Sequence, residues 1–443
     1  MMILSEIAAL LNCSCSSSHE LTGICIDSRQ VLPGNLFIAI RGEHFDGQDF
    51  IPDVVAKGAL AIVCHQALPN ISIPQLVVPD TLAALASIAT THRKRFGCDV
   101  IALTGSNGKT TVKEMIASIL PEPTYATPGN LNNHIGVPFS VLQLNATHRT
   151  AVFELGANHL GEIAHTVAIV QPKVALINNI APAHLEGFVS IDGVASAKGE
   201  IYQGLAVGGT AVINQDDAYA HFWDALLINK KTLRFSKEKP ADIYAKAIHY
   251  DTAGCGQFIL VTPEGQIEIQ LRVPGAHNVS NALAAAACTF ALGITLADIA
   301  FGLHQFGGVA GRMTFLQGKN KAIIIDDTYN ANLSSALMAI DVLASRDGVR
   351  IFVFGDMGEL GPASQQYHEA VGVALRERGI DRLMTCGKQS EYTARAYGAN
   401  AEHYENQGTL VLNLLNQLDA NTTVLVKGSR ASAMEKIVHQ LVG

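Results

Sequence analysis

The chain has 443 residues, more than one ordinary hydrophobic core accommodates, so two or three domains are expected. Hydrophobic residues make up 48% and charged residues 16%, which supplies ample surface to bury and excludes a disordered chain. A formal net charge of −8 excludes a general nucleic-acid binder, which would need excess lysine and arginine to displace counterions.

Ser5, followed by Ile7, Ala8, Leu10 and Leu11, predicts a short helix capped by Ser5. Without a basic start this segment does not read as a signal peptide. Apolar runs at 36–40, 61–64 and 76–78, set between Gly- and Pro-bearing turns, predict a small α/β domain over residues 1–80. Leu82, Leu85, Ile88 and Ala89 share one face of an expected connecting helix over 81–96. A central domain over 81–310 is expected to hold a parallel sheet covered on both faces. Its buried runs at 100–103, 151–155, 174–177 and 211–213 alternate with helical stretches such as 112–120. Between 232 and 273 the period drops to two, and the runs 257–261 and 266–273, joined by Pro263-Glu264-Gly265, predict an antiparallel insertion. Runs at 322–325, 351–354, 382–385 and 424–426 predict a Rossmann-like third domain over 311–443. The fold class is therefore α/β in three domains. The cysteines at 13, 15, 25, 64, 98, 255, 288 and 386 lack Cys-x-x-Cys spacing, which argues against a metal cluster or redox motif and fits a reducing compartment. Alanine-rich stretches such as 282–291 are too short to span a bilayer, so a soluble, cytoplasmic protein is expected.

The sharpest local signal is Thr104-Gly105-Ser106-Asn107-Gly108-Lys109-Thr110-Thr111, after a buried run and ahead of a helix whose apolar face is Val112, Met115, Ile116, Ile119 and Leu120. Glycines let backbone N–H groups curl around phosphate oxygens, and a helix N-terminus adds unsatisfied donors and its positive dipole end. Lys109 is placed to reach the β- and γ-phosphates, and the Thr110 hydroxyl to hold magnesium. Only two residues separate Gly105 from Gly108, against four in the standard phosphate loop. The plain alternative is a glycine turn with an exposed lysine. Strand, turn, lysine and hydroxyl all agree with phosphate binding.

Several further segments follow in order: Thr127 to Pro138, Glu154-Leu155-Gly156-Ala157-Asn158, Ala181 to Phe188 and Ala197-Lys198-Gly199-Glu200-Ile201. Then come Gly275-Ala276-His277-Asn278, Gly311-Arg312-Met313, Asp326 to Asn332, Gly355 to Gly361 and Lys427-Gly428-Ser429-Arg430. With the short glycine loop and Asp27-Ser28-Arg29, this set resembles the Mur ligases along essentially the whole chain. Within that family it is most similar to the branch that adds D-alanyl-D-alanine.

The resemblance implies an ATP- and magnesium-dependent ligase acting on UDP-N-acetylmuramoyl-tripeptide and D-alanyl-D-alanine, as a monomer, without nucleic acid or membrane insertion. It implies a first domain that binds the UDP-muramoyl peptide and a third that receives the acceptor. Gly105, Ser106, Asn107, Gly108, Lys109, Thr110, Thr111, Asn278, Arg312, Asp327, Tyr329 and Asn332 would bind ATP. Thr110 and Glu154 would hold one magnesium, with His184 and Lys198, if carbamylated, at a second; Lys109, Glu154, His184, Lys198 and Arg312 form the catalytic set. Ser28, Arg29, Asn132, Asn133, Asp356, Ser429 and Arg430 would contact substrates, with His368 near the acceptor. Read without the family, Glu154 is a solvated strand-end carboxylate, His184 polar surface, Lys198 a surface lysine paired with an acid, and Asn278 a helix N-cap. Leu333 stands where the family often has proline, and Gln48 where relatives have histidine. The rivals are another Mur-type or folylpolyglutamate-type ligase and, in a different class, a nucleotide-gated binding protein without ligase activity.

Overall fold

The computed structural model of the protein describes residues 2–42, 45–182 and 185–442. Three sheets follow one another along the chain, each with helices packed on it. The first has four parallel strands in the order β1 (Gly23–Cys25), β2 (Asn35–Ile38), β3 (Ala61–Cys64), β4 (Gln75–Val77). Its helix Leu4–Leu10 starts one residue before Ser5, so the expected Ser5 cap is corrected: Ile3 takes that place, and its N–H donates to Glu6 Oε2 at 3.1 Å. The helix Thr81–Arg93, capped by Asp80, leads to the central sheet.

That sheet contains β5 (Asp99–Thr104), β6 (Thr124–Ala126), β7 (Thr150–Glu154), β8 (Val174–Ile177), β9 (Thr210–Asn214), β10 (Lys231–Ser236), β11 (Ile243–Tyr250), β12 (Cys255–Thr262) and β13 (Gly265–Pro274). Its spatial order is 13-12-11-10-9-8-5-7-6. Val100, Ile101, Ala102 and Leu103 of β5 are all 0% exposed, as a parallel strand covered on both faces requires. Each such Val, Ile or Leu contributes about 1.5–3 kcal/mol by leaving water. From β5 the chain goes to β6 and β7 on one side and to β8 on the other, so a switch point opens at the carboxyl end of β5, where parallel sheets receive ligands.

The expected antiparallel insertion holds only in part. The strands β11, β12 and β13 pair antiparallel, but β10 runs parallel to both β9 and β11. A connection through the short helix Asp224–Leu227 gives the chain room to cross over before β10. The alanine-rich helix Ala276–Phe290 lies buried against this sheet and the helix Lys109–Ile119; with Ala282 to Ala287 between 0 and 1% exposed, small side chains let the two helices approach closely.

The third sheet has β14 (Thr314–Gln317), β15 (Ile323–Asp327), β16 (Val349–Phe354), β17 (Arg382–Cys386), β18 (Ala401–Tyr404) and β19 (Thr422–Lys427), in the order 14-15-19-16-17-18. Strand β14 is antiparallel and the rest are parallel. The sequence pattern did not reveal β14 or β18: both are edge strands, and β18 exposes Glu402 and His403, so neither carries a continuous apolar run. Among the described residues, no helix is long and apolar enough to cross a membrane.

Candidate active site

At the end of β5 the chain turns through Gly105 and Gly108 into the helix Lys109–Ile119. Gly108 has φ +77°, and a Cβ there would sit 2.6 Å from Asn281 Oδ1 and 2.7 Å from Asn178 Nδ2, so only glycine fits. The two asparagines that follow β8 clamp the loop. Asn178 Nδ2 donates to the Asn107 carbonyl at 2.9 Å and to Asn281 Oδ1 at 3.1 Å. Asn179 Oδ1 accepts the Asn107 N–H at 2.8 Å, while Asn179 Nδ2 donates to the Asn107 carbonyl at 3.1 Å. Ser106 Oγ donates to the Ala181 carbonyl at 3.0 Å. Such a clamp fixes the loop before any ligand arrives.

Lys109 folds back so that its Nζ donates to the Gly105 carbonyl at 2.8 Å. Burial pulls its amine below the usual lysine range; Glu154 draws it back up and Arg312 presses it down. The neighbouring Thr110 hydroxyl donates to Glu154 Oε2 at 2.8 Å, and Asn132 Nδ2 donates to Glu154 Oε1 at 2.8 Å. Glu154, at the carboxyl end of β7, is 2% exposed. From the third domain, Arg312 Nη2 donates to Thr110 Oγ1 at 2.8 Å, and its guanidinium lies 4.0 Å over the Tyr329 ring. Its Nε is buried with no hydrogen-bond partner among the described residues.

A cleft of about 370 Å³ runs between the central and third domains. Lys109, Asn132, Asn133, Glu154, Lys198, Asn278, Arg312, Asp327, Tyr329 and Asn332 all line it, as do Ser106, Asn107, Gly108 and Thr111. Lys198 is 2% exposed, and burial together with Lys109 holds its amine well below the usual lysine value. Asp327 Oδ2 accepts from Lys427 Nζ at 2.5 Å, a pair set by their opposite positions on β15 and β19. The side chain of Asn332 spans from the third domain to the loop, donating to Asn107 Oδ1 at 2.9 Å. Half-buried His277 sits near Lys427 and Lys237, and desolvation first, then those cations, lowers its pKa to about 4. The expected Asn278 N-cap is corrected. Gly275, at φ +102°, occupies that position, and Asn278 lies in the first turn with Nδ2 donating to the Pro274 carbonyl at 2.8 Å.

The remaining candidates lie elsewhere. Ser28 and exposed Arg29 sit on the first domain, where Arg29 pairs with Asp27 at 2.7 Å. Asp356 Oδ1 accepts the N–H groups of Gln389 at 3.0 Å and Ser390 at 2.7 Å, and its carbonyl accepts from Ser429 N. Buried His368 accepts the Met357 N–H at 3.0 Å through Nε2. Arg430 is exposed and pairs with Glu435 at 3.2 Å. His184 lies outside the described residues.

Asn178, Asn179 and Lys427 are parts of the site that no sequence motif above assigns to it. The signal for the two asparagines was present: they are polar residues directly after a buried parallel run, as Glu154 is the polar end of β7. A hydroxyl beside one carboxylate suits magnesium, which takes oxygen donors and leaves its other positions to phosphate and water. Thr110 and Glu154 meet that description, and Glu154 already turns both oxygens toward polar partners in the cleft.

A clamped glycine loop at a sheet switch point, facing an arginine brought by a separate domain, defines a nucleotide-dependent enzyme of the three-domain ligase type. Three family models match in sequence: "Mur ligase family, catalytic domain" at 20–93, "Mur ligase middle domain" at 103–289 and "Mur ligase, glutamate ligase domain" at 311–430. The chain belongs to the Mur ligase family. It is 44% identical to the UDP-N-acetylmuramoyl-tripeptide–D-alanyl-D-alanine ligase of Escherichia coli, covering 99% of this chain and 98% of that one. Its similarity to the ligase of the same name from Bacillus subtilis is 32% identity over 95% and 93% of the two chains. Among solved structures, MurF from Acinetobacter baumannii superposes with a TM-score of 0.94 at 37% identity, covering 99% of this chain and 98% of that one. The Thermotoga maritima MurF ligase in complex with ADP gives a TM-score of 0.84 at 27% identity, over 94% and 96% of the chains.

Proposed function

We infer that the chain joins D-alanyl-D-alanine to UDP-N-acetylmuramoyl-tripeptide with ATP, as a step in making the peptidoglycan precursor. The observation that carries this reading is the match to the Escherichia coli ligase at 44% identity over 99% of the chain. It acts in the cytoplasm, which supplies ATP and nucleotide-linked precursors.

The chemistry follows from charge. An oxygen of the tripeptide carboxylate attacks the γ-phosphorus, the bond to ADP breaks, and an acyl phosphate forms. The amine of D-alanyl-D-alanine then attacks the acyl carbon, phosphate leaves, and the amine nitrogen gives up a proton. The first step brings two anions together, so preorganised positive charge must stand where they meet. Lys109 and Arg312 supply it around Thr110 and Glu154. Arg312 comes from the third domain, so that charge is complete only with the third domain seated on the nucleotide loop. Magnesium, held by Thr110 and Glu154, would neutralise phosphate charge. Lys198, buried with a depressed amine, suits carbamylation, since the neutral amine is the form that adds carbon dioxide. Asn278 would read the adenine edge, with Asp327 and Tyr329 beside the ribose. Ser28 and Arg29 would face the UDP moiety, Asn132 and Asn133 the muropeptide. Asp356, Ser429 and Arg430 would border the dipeptide acceptor in the third domain.

ADP release measured with UDP-muramoyl peptides and a panel of single amino acids and dipeptides tests the assignment. Release that requires both the UDP-tripeptide and D-alanyl-D-alanine supports it. Use of a single amino acid without the dipeptide would overturn it.

A further inference from the structure

Lys113 is a buried cation to which the reaction chemistry gives no task. It lies on the helix Lys109–Ile119 one turn after Thr110, is 1% exposed, and does not line the cleft. Its Nζ donates to the Thr127 carbonyl at 2.6 Å and pairs with Glu114 Oε1 at 2.8 Å. Enclosing an ammonium on a helix face otherwise built of Val112, Met115, Ile116 and Ile119 is costly, and an apolar side chain of like volume would avoid that cost. What the lysine holds is therefore informative. The Thr127 hydroxyl accepts the Glu154 N–H at 3.1 Å, and the Thr127 N–H donates to the Val152 carbonyl at 3.0 Å. Further along the same segment, Asn132 Nδ2 holds Glu154 Oε1 at 2.8 Å. Thr110, on the helix that carries Lys113, closes the circuit at Glu154 Oε2, also at 2.8 Å.

We propose that Lys113 is a positioning residue that ties the segment bearing Thr127 and Asn132 to the helix bearing Thr110, and so sets the Glu154 carboxylate for a divalent cation on the bound nucleotide. This rests on reading Thr110 and Glu154 as the groups that hold magnesium. Removal of Lys113 frees the Thr127 carbonyl from the helix, and the two bonds that orient Glu154 loosen together. The Lys113 amine itself bonds to Thr127 and Glu114 and to no residue of the glycine loop from Gly105 to Lys109, so its loss leaves the loop's own grip on the nucleotide in place.

Calorimetric titration of the full chain with a non-hydrolysable ATP analogue, in EDTA and in excess magnesium, measures how far the cation tightens binding. In Lys113→Met, affinity in EDTA stays at the wild-type value, while the tightening by magnesium falls by roughly 10-fold or more, as loss of a metal ligand's outer partner does. Lys113→Arg keeps the charge and a donor and recovers part of it. Thr127→Val cuts the circuit one bond nearer Glu154 and gives the same loss, so the inference stays testable if Lys113→Met does not fold. A folded variant with a lowered melting temperature and undiminished tightening by magnesium assigns Lys113 a purely structural role and overturns the proposal. A wild-type chain whose nucleotide binding ignores magnesium overturns the underlying reading of Thr110 and Glu154, and this proposal with it.

Discussion

Asn332 Nδ2 donates to Asn107 Oδ1 at 2.9 Å, a bond between residues 225 positions apart that joins the third domain to the nucleotide loop. The same side chain starts the helix Leu333–Ala344, because Asn332 Oδ1 accepts the Ser335 N–H at 2.9 Å. Any change in how that helix sits is therefore felt at the loop, and the reverse.

Asn332→Ser separates the two tasks. Serine caps helices about as well as asparagine but is too short to reach Asn107, so stability should change by only a few tenths of a kcal/mol. The KM for ATP should rise by about 3- to 10-fold, the worth of one hydrogen bond of roughly 1 kcal/mol. Steady-state kinetics beside a thermal melt checks both halves.

Gly108→Ala should fold yet lose the nucleotide. The new Cβ at φ +77° would meet the Asn281 and Asn178 amides at 2.6 and 2.7 Å, and the loop must move to relieve it. Strain of this kind costs about 1–3 kcal/mol, and the variant's melting temperature should no longer rise when ATP is added.

Arg312→Lys keeps the positive charge but gives up the planar fork that reaches Thr110 while stacking on Tyr329. The action proposed for this group, on charge that develops during transfer, puts the expected loss in kcat, by about 10²-fold. A rise in KM for ATP with unchanged kcat would show that Arg312 only holds the ground state.

His277 makes a pH signature. Its folded pKa, about 4, lies below the ordinary histidine value of 6.5, so between those values the unfolded chain binds more protons. Stability at His277 is therefore fully present above 6.5 and is lost as pH falls toward 4. His277→Gln should flatten the slope of unfolding free energy across that window by on the order of 1 kcal/mol, allowing for the ring's partial exposure. Denaturant titrations at several pH values check it, and equal slopes in both proteins would contradict it.

The three sheets were legible because buried parallel runs leave a continuous apolar signature, as in 100–103 and 174–177. The edge strands β14 and β18 leave none, and the parallel placement of β10 depends on a crossover that periodicity does not encode. The glycine loop was legible because its chemistry is contiguous. Its clamp was legible only in part: Asn178 and Asn179 stand directly after a buried parallel run, but which loop atoms they and Asn281, on a separate helix, hold is set by the tertiary fold. Asn278 shows the opposite failure: its amide suggested a cap, but Gly275 holds that position because only its backbone takes φ +102° easily.

We propose that the loop ending at Lys109, with Thr110, Glu154 and Arg312 around it, joins a peptide carboxylate to the γ-phosphate before the amide forms. UDP-tripeptide labelled with oxygen-18 in the reacting carboxylate, incubated with ATP and D-alanyl-D-alanine, tests it directly by mass spectrometry of the inorganic phosphate released. One labelled oxygen should appear in phosphate for each amide bond made. Amide formation that leaves the phosphate unlabelled would contradict an acyl-phosphate route.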